Sequence, residues 1–212
     1  MRSKINQPRI VVQDSRESIS TWVNRPYISN KLREQLLRAN VLLVPSEGYA
    51  DQTDLVFFPS GTEELFHFLR ESQREGLSVD ICIEDKGYKE IARHADLLFI
   101  VDFIVKDIVA PLLVALIADY FIRRSGSGAS ETTVKSKITV CDEKNKRSMS
   151  LSFEGPASDY RDTMGNAIQN FNRSQNLESA QLAPNDQQSP SLPTKAGKTK
   201  KVRVKKWKRH RK

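Results

Sequence analysis

Several short stretches carry side chains whose types and spacing could do chemistry. In Pro59-Ser60-Gly61-Thr62-Glu63 a small polar turn stands between an apolar run and a helix-like stretch. The first amides of a helix have no partners inside it and sit at the positive end of the peptide dipoles. Ser60, Gly61 and Thr62 therefore form a candidate anion-binding turn. The same residues also have a reading without a ligand. Ser60 and Glu63 fit S-x-x-E, the capping box in which each side chain satisfies the other's free amide. Neither G-x-G-x-x-G nor G-x-x-x-x-G-K occurs here, and a single glycine favours the capping reading.

Glu84 and Asp85 close an alternating run, Leu77 to Asp85. Two carboxylates at a strand end could hold Mg²⁺ together with waters. Side chains alternate along a strand, so only one of the two would face a crevice. The plainer reading is acids favoured at the start of a following helix. His67 lies one helical turn beyond Glu63 and Glu64, and His94 follows Glu90 at i+4. Each could be a base oriented by a carboxylate. Such pairs are common on helices without catalysis, and no nucleophile accompanies them at a diagnostic spacing. Cys82 and Cys141 sit far apart in apolar runs, as buried thiols do. With the scattered histidines they give no zinc spacing, and a reducing compartment is expected. No catalytic residue, metal or cofactor is assigned.

The clearest functional signal is electrostatic. Residues 195–212, KAGKTKKVRVKKWKRHRK, hold 11 Lys or Arg and no acid. The whole chain has 34 Lys or Arg and 26 Asp or Glu; removing the 11 leaves 23 against 26, a net of −3 for residues 1–194. The net charge of +8 thus belongs to a tail, the mark of an interaction arm. Lys200, Lys201, Arg203, Lys205, Lys206, Lys208, Arg209, Arg211 and Lys212 can neutralise phosphates, with counterion release supplying affinity. Trp207, set among them, can stack on unpaired bases. The expected partner is nucleic acid, RNA or DNA, bound without sequence preference. Charge alone would also attract an acidic membrane surface, and basic runs serve as nuclear addresses or solubilising tails. Val202, Val204 and Trp207 are too few for a membrane-inserting face.

The elements that must position these residues follow from periodicity. Short strands are expected at Ile10–Val12, Val41–Pro45 and Asp54–Pro59, with a polar loop over residues 46–54. A helix after Asn30 carries Leu32, Leu36 and Leu37 on one face. Further helices are expected from Gly61 to Glu75, stopping at Gly76, and from Gly87 to Ala95. The most apolar stretch reads as a buried strand, Asp96–Val105, and a buried helix, Asp107–Arg124, with Pro111 in its first turns. Its longest uncharged run, Ile108–Ala118, is short of the roughly 20 residues a membrane span needs. Strand–helix alternation with continuous apolar strands points to an α/β fold, a parallel or mixed sheet with flanking helices. The period then changes to two. Val134, Ser136, Ile138 and Val140 share one face opposite Lys135, Lys137 and Thr139, and Met149, Leu151 and Phe153 alternate with serines. An antiparallel hairpin with one wet face is expected, followed by a helix, Ser158–Asn172, striped by Tyr160, Met164, Ile168 and Phe171.

These readings divide the chain into an α/β domain at 1–124, a small ββα unit at 131–173 behind the linker Ser125–Ser130, and a disordered linker and basic tail at 174–212. The N-terminal MRSKINQPRI lacks the apolar core of a secretory signal, so a cytoplasmic location is expected, or the nucleus in a eukaryote. The leading functional expectation is a binding or accessory protein, its body touching another protein or a small ligand and its tail holding nucleic acid. The alternatives are an enzyme acting on a nucleotide or phosphate ester at the sheet's carboxyl edge, and a membrane-associated partner using the apolar helix at 107–124.

Overall fold

Apolar residues at period two in the strands and near period four in the helices set the layers of this protein. The computed structural model describes residues 7–49, 52–72, 76–91, 98–128 and 132–181. In chain order the elements are β1 (Arg9–Ser15), α1 (Ile19–Val23), α2 (Asn30–Leu36), β2 (Val41–Val44), β3 (Ser46–Tyr49), β4 (Gln52–Pro59) and α3 (Thr62–Glu71). There follow β5 (Val79–Ile81), β6 (Glu90–Ile91), β7 (Leu98–Phe99), β8 (Asp102–Lys106), α4 (Ala110–Ser125), β9 (Thr133–Asp142), β10 (Arg147–Pro156) and α5 (Tyr160–Gln181).

The main sheet is mixed, in the order β1-β10-β9-β8-β2-β5, with β7 also pairing β9. β8 runs parallel to β9 and β2 parallel to β5, while β1/β10, β10/β9 and β2/β8 are antiparallel. The class is α/β, as the alternation of elements implies. Residues 1–124 and 131–173 share this one sheet: β9 of the hairpin bonds β8, and β10 bonds the N-terminal β1.

Alternation along the central strands sends side chains into two cores. Val41, Leu43, Phe103 and Val105 face Leu113, Ile117 and Phe121 of α4, with Leu65 and Leu69 of α3 and Tyr160, Met164 and Ile168 of α5 in the same core. Leu42, Val44, Ile104 and Cys141 face the other way, against Trp22, Val23, Leu32 and Leu36 of α1 and α2. Each large apolar side chain gains about 1.5–3 kcal/mol by leaving water, so covering both faces dominates the stability of the fold. Tyr160 is the hinge of the first core. Its ring meets Phe121 and Phe153 edge-on at 5.0 and 5.1 Å, and its hydroxyl accepts from Ser136 at 3.2 Å.

Several expectations change. The polar stretch after Pro45 contains β3, which pairs with β4 and leaves β4 outside the main sheet, in a small sheet β3-β4-β6. The helix expected at 87–95 is absent over its described part: Asp85–Gly87 is a single 3-10 turn and Glu90–Ile91 pairs with Phe58–Pro59 as β6. Tertiary hydrogen bonds decide this, since the Lys89 and Ile91 carbonyls accept from the Phe58 and Ser60 amides. The hairpin's second face is wet only in part. Lys135 and Lys137 are half-exposed, but Thr139 and Cys141 are buried where the α1–α2 layer covers the sheet. The last helix runs past Asn172 to Gln181, so residues 174–181 belong to α5. Residues 182–212, with the basic tail, lie outside the described residues, as does His94. The apolar helix α4 is a core element, with Leu113, Val114, Leu116, Ile117 and Phe121 all buried. Among the described residues no helix is long and apolar enough to cross a membrane.

Candidate functional site

At the end of β4 the chain turns at Gly61, whose φ of +87° lies in the left-handed region that glycine adopts without steric cost. A Cβ there would also sit 3.0 Å from Arg124 Nη1. Gly61 is therefore the cap of α3, and the capping box expected from Ser60 and Glu63 does not form. Ser60 is exposed. Thr62 is buried, its hydroxyl donating to the Pro59 carbonyl at 2.7 Å.

The free amides of α3 are met from far along the chain. Gly61 N–H donates to Glu90 Oε2 at 3.0 Å and Glu63 N–H to Glu90 Oε1 at 2.9 Å. The Tyr88 hydroxyl donates to the same Oε1 at 2.5 Å. Partial burial of Glu90 works against its charged form. Hydrogen bonds from Tyr88 and from the amides of Glu63, Gly61 and Thr62 outweigh it and hold the carboxyl below the usual glutamate range. Thus the anion at this helix start is Glu90 itself. On the other side of the turn Arg124 donates to Glu64 at 2.8 Å and to the Tyr120 hydroxyl at 2.5 Å. The cavity beside Ser60, Gly61 and Thr62 has a volume of only about 10 Å³, room for a single water.

A larger opening lies at the carboxyl end of β5. Glu63, Phe66 and His67 of α3 face Ile81, Ile83, Asp85 and Tyr88 across a cleft of about 300 Å³. Its walls are apolar and its rim carries Glu63, Asp85 and His67. His67 Nε2 stands 3.9 Å from Glu63 Oε1. Tyr88 is held in place by stacking on Phe58, with ring centroids 5.1 Å apart. Glu84 and Asp85 lie beyond β5, where the chain enters the Asp85–Gly87 3-10 turn; Asp85 lines both this cleft and the depression beside it, and Glu84 only the latter. That depression, of about 520 Å³, is also lined by Ser29, Lys31, Arg70 and Lys86. A hydrogen bond from Ser29 and the Lys86 ammonium 3.2 Å away hold the Glu84 carboxyl low. Asp80, in the same depression, is raised by burial. The structure thus brings Asp85 to the same cleft as the Glu63–His67 pair, although the sequence placed that pair and Asp85 on separate motifs.

Other polar groups are already engaged. The open part of the sheet pairs Lys135 with Glu154 at 2.9 Å, and Lys137 with Glu17 at 3.6 Å and Asp102 at 4.0 Å. Burial pushes the Cys82 thiol well up and the Cys141 thiol to about 12, and both are inert as nucleophiles in that form. Among the described residues no group of three or more His, Cys, Asp or Glu is placed to hold a metal ion. Compared with protein-family models, curated proteins and solved structures, the chain matches none. The roles of Glu90, read from the sequence only as a helical partner of His94 but found in β6, and of Arg124 are what local reading misses in this region. Neither residue is within 25 positions of the amides or carboxylate it serves, so no motif could carry them.

Proposed function

We propose that this is a non-catalytic binding or accessory protein. Its α/β body makes protein or small-ligand contacts, and its basic tail holds RNA or DNA without sequence preference. The observation that carries the reading is the segregation of charge: 11 cations in the last 18 residues, on a body of net −3. Lys200, Lys201, Arg203, Lys205, Lys206, Lys208, Arg209, Arg211 and Lys212 would contact phosphates, and Trp207 would stack on an unpaired base. A cytoplasmic or, in a eukaryote, nuclear setting fits this role. The test is a titration of labelled oligonucleotides across salt. Six or more phosphate contacts lose roughly a thousandfold in affinity between about 50 and 200 mM salt. Loss of binding on deleting Lys195–Lys212 supports the reading, and undiminished binding would sink it. Anionic and neutral vesicles in the same titration address the acidic-lipid alternative.

A second reading has one observation in its favour. His67, Glu63 and Asp85 line one cleft at the carboxyl end of β5, where open α/β sheets place ligands. An enzyme acting on a nucleotide or phosphate ester would use that edge. Against it, the amides best suited to a phosphate already bind Glu90. A thermal-shift screen of nucleotides separates the two, because a ligand at a hundredfold excess over its Kd stabilises by about 2.7 kcal/mol.

A further inference from the structure

We propose that the cleft between α3 and the Ile81–Tyr88 segment docks this chain's own tail through Lys205–Arg209, in competition with nucleic acid. The first ground is the lining. Phe66, Ile83 and Tyr88 give apolar walls, and Glu63 and Asp85 stand on the rim with no Lys or Arg among the lining residues. A segment with one aromatic flanked by cations, KKWKR, is complementary to it: Trp207 fills the apolar wall and Lys205, Lys206 and Lys208 meet the carboxylates. Phe66 already receives a cation on its ring, with Arg70 Cζ 5.3 Å from the centroid.

The second ground is where the body keeps its negative charge. Residues 62–71 and 79–91 hold seven Asp or Glu against three Lys or Arg, a net of −4. The other residues of 1–194 sum to +1, so these two segments, which form the walls of the cleft, carry the net negative charge of the body in sequence; Lys31, Arg70 and Lys86 stand in the adjoining depression. Opposite charges that meet within a Debye length attract, so the rim carboxylates Glu63 and Asp85 favour a basic occupant. The third ground is reach. Twenty-four positions separate Gln181 from Lys205. A chain of that length spans up to roughly 80 Å, against a radius of gyration of about 16 Å for a body of this size.

Docking would make the tail unavailable to nucleic acid for as long as it lasts. If nine-tenths of molecules are docked, the apparent affinity for an oligonucleotide falls about tenfold. That consequence rests on the proposed function of the tail; the docking itself does not.

Zero-length carbodiimide coupling of the dilute full-length chain tests the docking without nucleic acid. The expected result is monomers in which Lys205, Lys206 or Lys208 is joined to Glu63 or Asp85, and slow acrylamide quenching of Trp207. Trp22 is buried and gives a constant background. The double variant Glu63→Lys/Asp85→Lys should lose the coupling, expose Trp207 and bind oligothymidylate about tenfold more tightly. Asp159→Lys/Asp162→Lys, a matched charge change at the start of α5, should alter none of these. Coupling to carboxylates elsewhere, coupling between chains, or equal effects of both double variants overturns the docking. A docked tail on a protein that binds no oligonucleotide overturns the competition and the proposed function, and leaves the docking standing.

Discussion

The N-termini of α1 and α3 are closed in opposite ways. At α1 the work is local. The Thr21 amide donates to Ser18 Oγ at 3.1 Å and the Ser18 amide donates to Thr21 Oγ1 at 2.9 Å, a reciprocal box within four residues. At α3 the cap is a left-handed glycine with no side chain to offer, and the helix amides wait for Glu90, 27 to 29 positions away. The first closure forms with its own turn. The second requires β6 to have paired with β4, so the start of α3 is coupled to the small sheet, and through Arg124 and Glu64 to α4. A helix start that resembles a phosphate site in sequence is, in the folded chain, a clamp between layers.

Four substitutions and one pH profile test that contrast. Gly61→Val should be the most damaging, about 3 kcal/mol in chemical denaturation, because a branched residue is strained at positive φ and its Cβ meets Arg124. A loss below 1 kcal/mol would mean the turn is not held left-handed in solution. Glu90→Ala should cost about 1–2 kcal/mol, the scale of a lost cap plus a lost charge at a helix N-terminus. It should also loosen β6, seen as faster exchange of the Ser60 amide, which donates to Ile91.

The charge on Glu90 gives the next effect. Its folded-state pKa is depressed, so its stabilisation is fully present above the ordinary glutamate value of about 4.3 and is lost as pH falls through the lower folded value. The stability difference between wild type and Glu90→Gln should therefore shrink as the pH drops through that window. Asp142, also held low despite its burial, by hydrogen bonds from Asn145 and Lys144, titrates in both proteins and cancels. A constant difference would show that Glu90 acts by shape and not by charge. Ser18→Ala should cost about 1 kcal/mol, the ordinary value of a local cap. Ser60→Ala should cost least, under about 0.5 kcal/mol, since Ser60 is exposed and caps nothing. Equal losses at Ser18 and Ser60 would erase the distinction between the two helix starts.

Much of the architecture is readable from the residues themselves. The hairpin announces itself by alternation and forms as β9 and β10, with Val134, Ile138, Val140, Leu151 and Phe153 buried. The stripe Tyr160, Met164, Ile168 is the buried face of α5. The apolar run with Pro111 near its start becomes α4. At the candidate site the residue types are legible and their company is not. His67, Glu63 and Asp85 are visible as acid–base groups, but the cleft that gathers them depends on α3 packing beside β5.

Periodicity and charge are local properties, and they are what this sequence determined on its own: an α/β class, two-faced strands, a core helix in place of a membrane span, and a basic end on an acidic body. Tertiary structure decided the rest, because the deciding energies there join residues far apart. The α1–α2 layer buries Thr139 and Cys141 on a face that alternates like a wet one. The edge of β4 draws Glu90–Ile91 into a strand where the local pattern favours a helix. Glu90 then closes α3, and a turn whose spacing suits a ligand or a capping box becomes neither, since its unpaired amides take the strongest acceptor that folding brings within 3 Å.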